Sequence, residues 1–193
     1  AAKVLSTATG LQAHTIHHTI YRASTAMQEE GGSFQIATSR STAPTLFIVD
    51  EASMISGDGE QVTPFGSGNL LDDLLSYVWS GETSKLILVG DTAQLPPVGT
   101  PLSDALNPEI LSSRYGMQVY SATLRQVVRQ KQGGILHNAT VLRELLTSYE
   151  DEAPEIPLPI HLETLDWKGI TAVEPGEFID TLDQAYRKYG YEE

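Results

Sequence analysis

Two carboxylates follow a short apolar stretch, and their types and order suit phosphate chemistry. Residues 46–49 read LFIV, and Asp50 and Glu51 come directly after them. A continuous apolar run is typical of a buried parallel strand, and open α/β sheets place ligands at the carboxyl ends of such strands. An Asp there can hold Mg²⁺, directly or through water, and a Glu can polarise the water that attacks a γ-phosphate. The pair fits a Walker B element; the alternative is a solvated turn after a core strand.

A second apolar run repeats this arrangement. Residues 86–89 read LILV, and the stretch GDTAQLPP follows at 90–97. Between the two runs, Asn69 can cap a helix whose apolar residues 70, 71, 74, 75 and 78 share one face, and Gly81 ends it. Strand, helix and strand at this spacing form a βαβ unit, so we expect the two strands to be parallel with a right-handed crossover.

A phosphate-binding loop is missing from the sequence. A P-loop has the pattern GxxxxGK[ST], whose backbone amides surround the phosphates, and no such stretch occurs in the 193 residues. The sequence also opens on Ala1 without an initiator Met. We therefore interpret the chain as an interior piece of a longer protein.

Composition excludes some classes of protein. The formal net charge of −13 argues against a generic nucleic-acid coat protein, although it does not exclude an enzyme that tracks along DNA, because local Lys and Arg placement sets that affinity. Cysteine is absent, which excludes disulfides and thiolate metal sites. The sequence has neither a signal peptide nor an apolar run long enough to cross a membrane. The lack of cysteine fits a reducing cytosol, and we expect a cytoplasmic protein.

The rest of the chain divides into short elements. Residues 1–9 read as the tail of a helix stopped by Gly10, and Thr15 can cap a short helix through Tyr21. Residues 22–44 are polar and predict a small hairpin or exposed insertion. A third strand is predicted over 118–123, and two further helices over about 135–149 and 176–189.

The order of motifs resembles a known family. AAKVLS, TIHH at 15–18, IVDEASMIS, LVGDTAQLPPVG and LRQVVRQ occur in the order found in the RecD/TraA branch of superfamily 1 DNA helicases, relatives of the exodeoxyribonuclease V alpha subunit. The resemblance covers roughly residues 1–139, and the DEAS and GDxxQLPPV stretches are its specific part. It implies an incomplete α/β, RecA-like P-loop NTPase domain in residues 1–124, with a parallel sheet and flanking helices. Residues 125–193 would begin a second RecA-like domain.

The resemblance also implies roles for site residues. Asp50 would be the Mg²⁺ ligand, and Glu51 would belong to the same metal site and act as the catalytic base. Gln94 would sense the γ-phosphate, which suits an amide because it can donate to a phosphate oxygen and accept from water. Arg129 would act as an arginine finger from the second domain, and Arg125 competes with it for that role.

Three further residues match single-stranded DNA contacts of the family. They are Thr15 and His17 in the TIH element and Pro97 in the loop after the second strand. For each a structural interpretation stays open: Thr15 as a helix cap, His17 as a packed ring and Pro97 as a residue that stiffens its loop.

Together these features imply part of an ATP-dependent DNA helicase that uses ATP and Mg²⁺ and moves on single-stranded DNA, 5′ to 3′ in this branch. Other helicase or nuclease subunits are the expected partners, and the isolated chain is expected to be inactive. The alternatives are a PhoH-like P-loop ATPase acting on RNA and a non-catalytic module that binds DNA or a partner.

The missing P-loop strand has a consequence for the sheet. In the RecA-like order it lies beside the strand that ends at Val89, and the strand at 118–123 lies on its far side. We therefore expect the vacant position to be filled by 118–123 or by another chain, with self-association through the exposed edge as one outcome.

Overall fold

The structure is a computed structural model that describes residues 2–23, 33–39, 41–57, 63–81, 83–100, 102–128, 133–148, 160–164, 167 and 170–189. It consists of two compact units, Ala1–Ala122 and Thr123–Glu193. In the first unit the elements are α1 (Ala2–Thr9), α2 (Ile16–Ile20), β1 (Tyr21–Ala23), β2 (Phe34–Ile36), β3 (Thr45–Val49), α3 (Leu70–Trp79), β4 (Ser84–Leu88) and α4 (Pro108–Tyr115). The second unit contains α5 (Gly134–Ser148) and α6 (Phe178–Tyr189). Short 3-10 turns cover Ala52–Met54, Asp104–Leu106 and Pro175–Glu177.

The two apolar runs form a parallel pair, as the sequence predicts. β3 pairs with β4 over their whole length, and Val49 lies opposite Leu88. The amide of Val89 extends the ladder by donating a 2.8 Å hydrogen bond to the carbonyl of Val49. Both strands therefore end at the same edge of the sheet, and Asp50 and Asp91 follow them there.

The helix between these strands begins where Asn69 predicts and ends at Trp79, two residues before Gly81. The side chain of Asn69 accepts a 3.0 Å hydrogen bond from the amide of Asp72, which satisfies an amide of the first turn of α3. Leu71, Leu74, Leu75 and Val78 of α3 are buried in the main core. The rest of that core consists of Ile20, Tyr21, Val49, Ala52, Ile55, Ala105 and Leu111.

One face of the β3–β4 sheet is open to solvent among the described residues. Phe47, Leu86 and Leu88 pack toward the core, whereas Leu46, Ile48, Ile87 and Val89 are between 43% and 60% exposed. Strands of parallel sheets are normally covered on both faces, which is why their sequences are apolar throughout. The apolar residues of the second face thus lack the cover that their type predicts.

The strand predicted over 118–123 is wrong. These residues form no ladder, and Tyr120 in the middle of the stretch is 84% exposed. A strand needs a neighbour to bond its amides and carbonyls, and β-propensity without such a neighbour does not hold one in place. In the part of the chain that the structure describes, β4 pairs only with β3, so 118–123 does not fill the vacant edge.

The residues predicted to end α1 and to begin α2 do so in the structure. α1 is followed by Gly10 at φ 71°, the left-handed conformation that ends helices at glycine. Thr15 caps α2 by accepting a 3.3 Å hydrogen bond from the amide of His18. α4 was not predicted, although its signals are plain: Asn107 caps it and Pro108 occupies its first turn.

A small antiparallel pair lies beside α2. β1 pairs with β2, and Tyr21 lies opposite Ile36. Phe34 also bridges to Phe65, and the two rings stack with centroids 4.6 Å apart. Apart from Tyr21, the pair falls within the polar range 22–44, for which the sequence predicts a hairpin or exposed insertion.

In the second unit, α5 is joined to a segment with no regular structure. The amide group of Asn138 donates to the carbonyl of Glu163 at 2.8 Å and its oxygen accepts from the amide of Glu163 at 2.9 Å. α6 is strongly amphipathic, and its apolar residues Phe178, Ile179, Leu182 and Tyr186 are each more than 40% exposed. The described helices are also too short or too polar to cross a membrane. Across the ranges described, none of them has the length and apolar character needed to span a bilayer.

Candidate functional site

The Asp-Glu pair lies exposed at the carboxyl end of β3. Asp50 Oδ1 accepts a 3.0 Å hydrogen bond from the amide of Glu51. Glu51 has φ 57° and ψ 39°, the left-handed region that a residue with a Cβ seldom adopts. It is the one described residue other than glycine with a positive φ. Such backbone outliers persist where the surrounding structure imposes them, and they cluster at functional sites.

The turn after Glu51 is fastened to the neighbouring strand. The amide of Ala52 donates a 2.8 Å hydrogen bond to the carbonyl of Val89, and the amide of Met54 donates to the carbonyl of Glu51 at 3.1 Å. Gly90 packs against this turn so closely that a Cβ would lie 2.9 Å from the backbone nitrogen of Ser53. Any larger residue at 90 would push the two motifs apart, so the glycine of GDTAQ has a packing reason.

The loop after β4 is organised by Asp91. Its Oδ1 accepts from the amide of Ala93 at 3.0 Å, and its carbonyl accepts from the amide of Gln94 at 3.0 Å. The side chain of Gln94 is exposed, and Leu95 and Val98 farther along are 88% and 91% exposed. Asp91 therefore shapes the loop, while the Gln94 amide is available to a ligand.

Asp50 and Glu51 could supply part of the ligand set of a Mg²⁺ ion bound to a nucleotide. Mg²⁺ is typically bound by one or two carboxylates, with waters and substrate phosphates as the other ligands. Asp50 offers such a carboxylate at an open sheet edge, and Glu51 stands next to it. In the described ranges no three His, Asp or Glu residues form a cluster that could hold a metal by themselves. The donor set thus suits an ion that arrives with its nucleotide.

The predicted DNA contacts Thr15 and His17 lie on α2. The Thr15 hydroxyl serves as the helix cap described above. The exposed ring of His17 lies edge-on to Phe65, with centroids 5.1 Å apart, and tilted over Tyr21 at 5.5 Å. An open groove of about 490 Å³ runs beside it, lined by His17, His18, Tyr21, Arg22, Phe34 and Phe65. Nη1 of Arg22 donates to backbone carbonyls of His18, Thr19 and Tyr21, so its charge caps the end of α2.

Pro97 lies half-buried in the loop after β4, where its carbonyl accepts from the amide and hydroxyl of Thr100, both at 3.2 Å. Arg129, the predicted arginine finger, lies outside the described residues. Its competitor Arg125 is exposed in the second unit. The structure thus brings Asp50, Glu51 and Gln94 to one sheet edge and places Thr15 and His17 on a separate helix.

A buried carboxylate, that of Asp73, binds the residue that follows α2. Asp73 is 1% exposed, and its carboxylate accepts three hydrogen bonds. They come from the Tyr21 hydroxyl at 2.6 Å, the Ser67 hydroxyl at 2.7 Å and the Ser67 amide at 3.0 Å. Burial raises the pKa of Tyr21, and the hydrogen bond and charge of Asp73 raise it further. Burial likewise raises the pKa of Tyr115, which donates to Asp72. Helix periodicity puts Asp73 on α3 but does not reveal that it binds Tyr21, because Tyr21 is 52 residues away in the sequence.

Ser103 is a second supporting residue that the sequence analysis misses. Its side chain is 1% exposed, and its Oγ lies 2.9 Å from the carbonyl oxygen of Ala52 and 2.7 Å from that of Ile55. A Ser before Asp-Ala-Leu could be read as a cap of the turn that it begins, but nothing local points to residues about fifty positions earlier.

Comparison with known proteins identifies a family for this chain. A family model described as an AAA domain matches residues 1–150, more than half of the 193-residue chain. Neither the curated proteins nor the solved structures gave a match. The matched range includes Asp50, Glu51 and Gln94, and AAA-type P-loop domains generally use ATP and Mg²⁺. The chain therefore belongs to the AAA domain family, a family of P-loop, nucleotide-hydrolysing domains.

Proposed function

We propose that this chain is part of an ATP-dependent DNA helicase of the RecD/TraA type, cytoplasmic and moving 5′ to 3′ on single-stranded DNA. The observation that carries the proposal is the parallel pairing of β3 with β4, because it puts the DEAS turn and the GDTAQLPP loop at one sheet edge. The backbone bond from Ala52 to Val89 joins the two motifs directly. Family membership supports the ATPase part, and the motif order supports the helicase part.

In this proposal, Asp50 and Glu51 divide the chemistry at the end of β3. Asp50 would hold Mg²⁺ with Glu51 as its neighbour in the chain, and the ion would neutralise charge on the phosphates of a bound nucleotide. Glu51 accepts the proton of the attacking water, for which a carboxylate at an open edge is suited. The fixed backbone of Glu51 sets where its carboxylate can reach. The phosphate loop has to come from outside these 193 residues, because they contain no GxxxxGK[ST].

The resemblance to the helicase family supplies the other proposed contacts. In the proposal, Gln94 reports on the γ-phosphate through its exposed amide, and Arg129 is the arginine finger that opposes the charge developing during hydrolysis. Thr15, His17 and Pro97 contact single-stranded DNA, and other helicase or nuclease subunits are candidate partners. The exposed His17 ring beside the groove on α2 is compatible with a DNA contact.

The test is a Glu51→Gln variant of the full-length protein that contains these residues. Removal of a general base lowers turnover by about 10²- to 10⁴-fold, and nucleotide binding should remain because Asp50 is intact. Glu109→Gln, an exposed glutamate of α4, is the matched control. Turnover should be stimulated by single-stranded DNA. Stimulation by RNA alone would instead favour a PhoH-like enzyme, and wild-type turnover of Glu51→Gln would contradict the site.

A further inference from the structure

The buried Ser103 side chain joins the turn after Glu51 to the turn over Asp104–Leu106. Its buried hydroxyl lies between the carbonyl oxygens of Ala52 and Ile55, which begin and end the turn that follows Glu51. A hydroxyl has a single proton to donate, so it bonds one of these two carbonyls at a time and stays within reach of both. The same oxygen accepts from the amide of Ala105 at 3.3 Å. One hydroxyl thus serves two turns that are distant in the sequence.

The turn that Ser103 begins is itself packed against the end of β4. Leu106 lies against Gly90, where a Cβ would come within 2.8 Å of its side chain. Asp104 lies beside Gly57 and forms an ion pair with Arg114 at 3.6 Å. The turn over Asp104–Leu106 is therefore held on two sides, and Ser103 transmits that support to the turn over Ala52–Met54.

Glu51 requires such support because its backbone is strained. A non-glycine residue in the left-handed region relaxes unless its neighbours hold it. The amide of Ala52 is held by Val89, and its carbonyl accepts from the amide of Ile55 at 3.1 Å and lies within reach of Ser103 Oγ. Without the Ser103 hydroxyl both backbone bonds remain, but the carbonyls of Ala52 and Ile55 lose their shared side-chain donor.

We propose that Ser103 is a positioning residue that holds the turn carrying Glu51 in its catalytic geometry and couples it to the segment after the GDTAQLPP loop. The proposal rests on the proposed function, since it acts through Glu51 as the base. Small displacements of a reacting group lower rates by about 10²-fold, so loss of the hydroxyl should reduce kcat without preventing ATP binding.

The experiment compares Ser103→Ala with Ser112→Ala in the full-length protein. Ser112 is a matched control because its exposed hydroxyl also donates to a backbone carbonyl, that of Pro108 at 2.7 Å. We expect Ser103→Ala to lower kcat by about 10- to 100-fold, with the KM for ATP and the stoichiometry of nucleotide binding unchanged. Partial unfolding would instead lower the binding stoichiometry together with kcat. Should Ser103→Ala fail to fold, Ser103→Cys keeps the shape, has only a weak donor and is expected to lower kcat in the same way.

A double variant separates this inference from the proposed function. If Ser103 acts through Glu51, adding Ser103→Ala to Glu51→Gln causes little further loss in single-turnover rate. An equal further loss in both backgrounds would overturn the positioning role. Wild-type kcat in Ser103→Ala or in the folded Ser103→Cys, beside an inactive Glu51→Gln, would overturn it and leave the proposed function standing. An active Glu51→Gln would overturn both.

Discussion

The amide of Ala52 donates a 2.8 Å hydrogen bond to the carbonyl of Val89, so the turn after β3 is bonded to the residue that follows β4. Glu51 precedes that bond and Gly90 follows it. Motion of either motif must therefore strain or break a backbone hydrogen bond that both share. A mutation that displaces one motif is expected to disturb the other as well.

The first prediction concerns nucleotide binding by the 193-residue chain. It should show no ATP affinity at millimolar concentrations, because carboxylates alone do not replace the backbone amides that surround phosphates. Isothermal titration calorimetry is the measurement, and the full-length protein serves as positive control. A micromolar Kd for the 193 residues would contradict the prediction.

The second prediction distinguishes Arg129 from Arg125. In the full-length protein, Arg129→Ala should lose about 10³- to 10⁵-fold in turnover, the range for loss of an arginine finger. Binding of single-stranded DNA should be largely retained. Arg125→Ala, at an exposed position of the second unit, is the matched control. If Arg125→Ala has the larger defect in steady-state ATPase assays, the two roles are exchanged.

The third prediction concerns stability at alkaline pH. The pKa of Tyr21 is raised above its ordinary value of 10.0, so the folded protein keeps this proton after the unfolded chain has begun to lose it. The free energy of unfolding should therefore fall as the pH rises above about 10. Tyr21→Phe removes this contribution and should flatten the fall, while at neutral pH it should cost about 1–3 kcal/mol by removing a donor from buried Asp73.

Urea unfolding at several pH values measures this effect. Tyr120→Phe is the control, because Tyr120 is 84% exposed. Tyr115, whose pKa is also raised, remains in both variants and contributes the same slope to each. Identical pH dependence of Tyr21→Phe and Tyr120→Phe would show that the buried pair does not act in this way.

The fourth prediction concerns the open sheet. The 193-residue chain should self-associate in sedimentation velocity, because β4 has a free edge within the described ranges and the outer face of the sheet exposes Leu46, Ile48, Ile87 and Val89. Ile87→Lys places a charge on the edge strand and should shift the chain toward monomer. Val98→Lys, at a position 91% exposed in a loop, should not. Unchanged association in Ile87→Lys would locate the contact elsewhere.

Sequence patterns predicted the features of this fold that depend on neighbouring residues. The caps at Thr15 and Asn69 and the parallel pairing of the two apolar runs follow from side chains within a few residues or from a short crossover. The placement of Asp50 and Gln94 at one edge follows from that pairing. By contrast, 118–123 has the composition of a strand but lacks a neighbour, and composition does not show whether a neighbour is present.

The contacts that support the site depend on residues far apart in the chain. Ser103 reaches Ala52 over 51 residues, and Tyr21 reaches Asp73 over 52. A buried Ser or Asp within a helical or turn pattern looks like any cap or polar position until the tertiary structure brings its partner to it. The left-handed backbone of Glu51 could not be predicted from the sequence either, because glutamate rarely adopts a positive φ.

The backbone of Glu51 sets stability and activity against each other at one position. Glycine adopts φ near 57° without strain, and a left-handed conformation costs other residues roughly 1–2 kcal/mol. Glu51→Gly should therefore be neutral or raise the melting temperature, whereas Glu51→Ala keeps the strain. A directed-evolution library screened for thermal tolerance alone would enrich glycine at 51 and discard the carboxylate. Engineers who stabilise this domain need to hold that codon fixed.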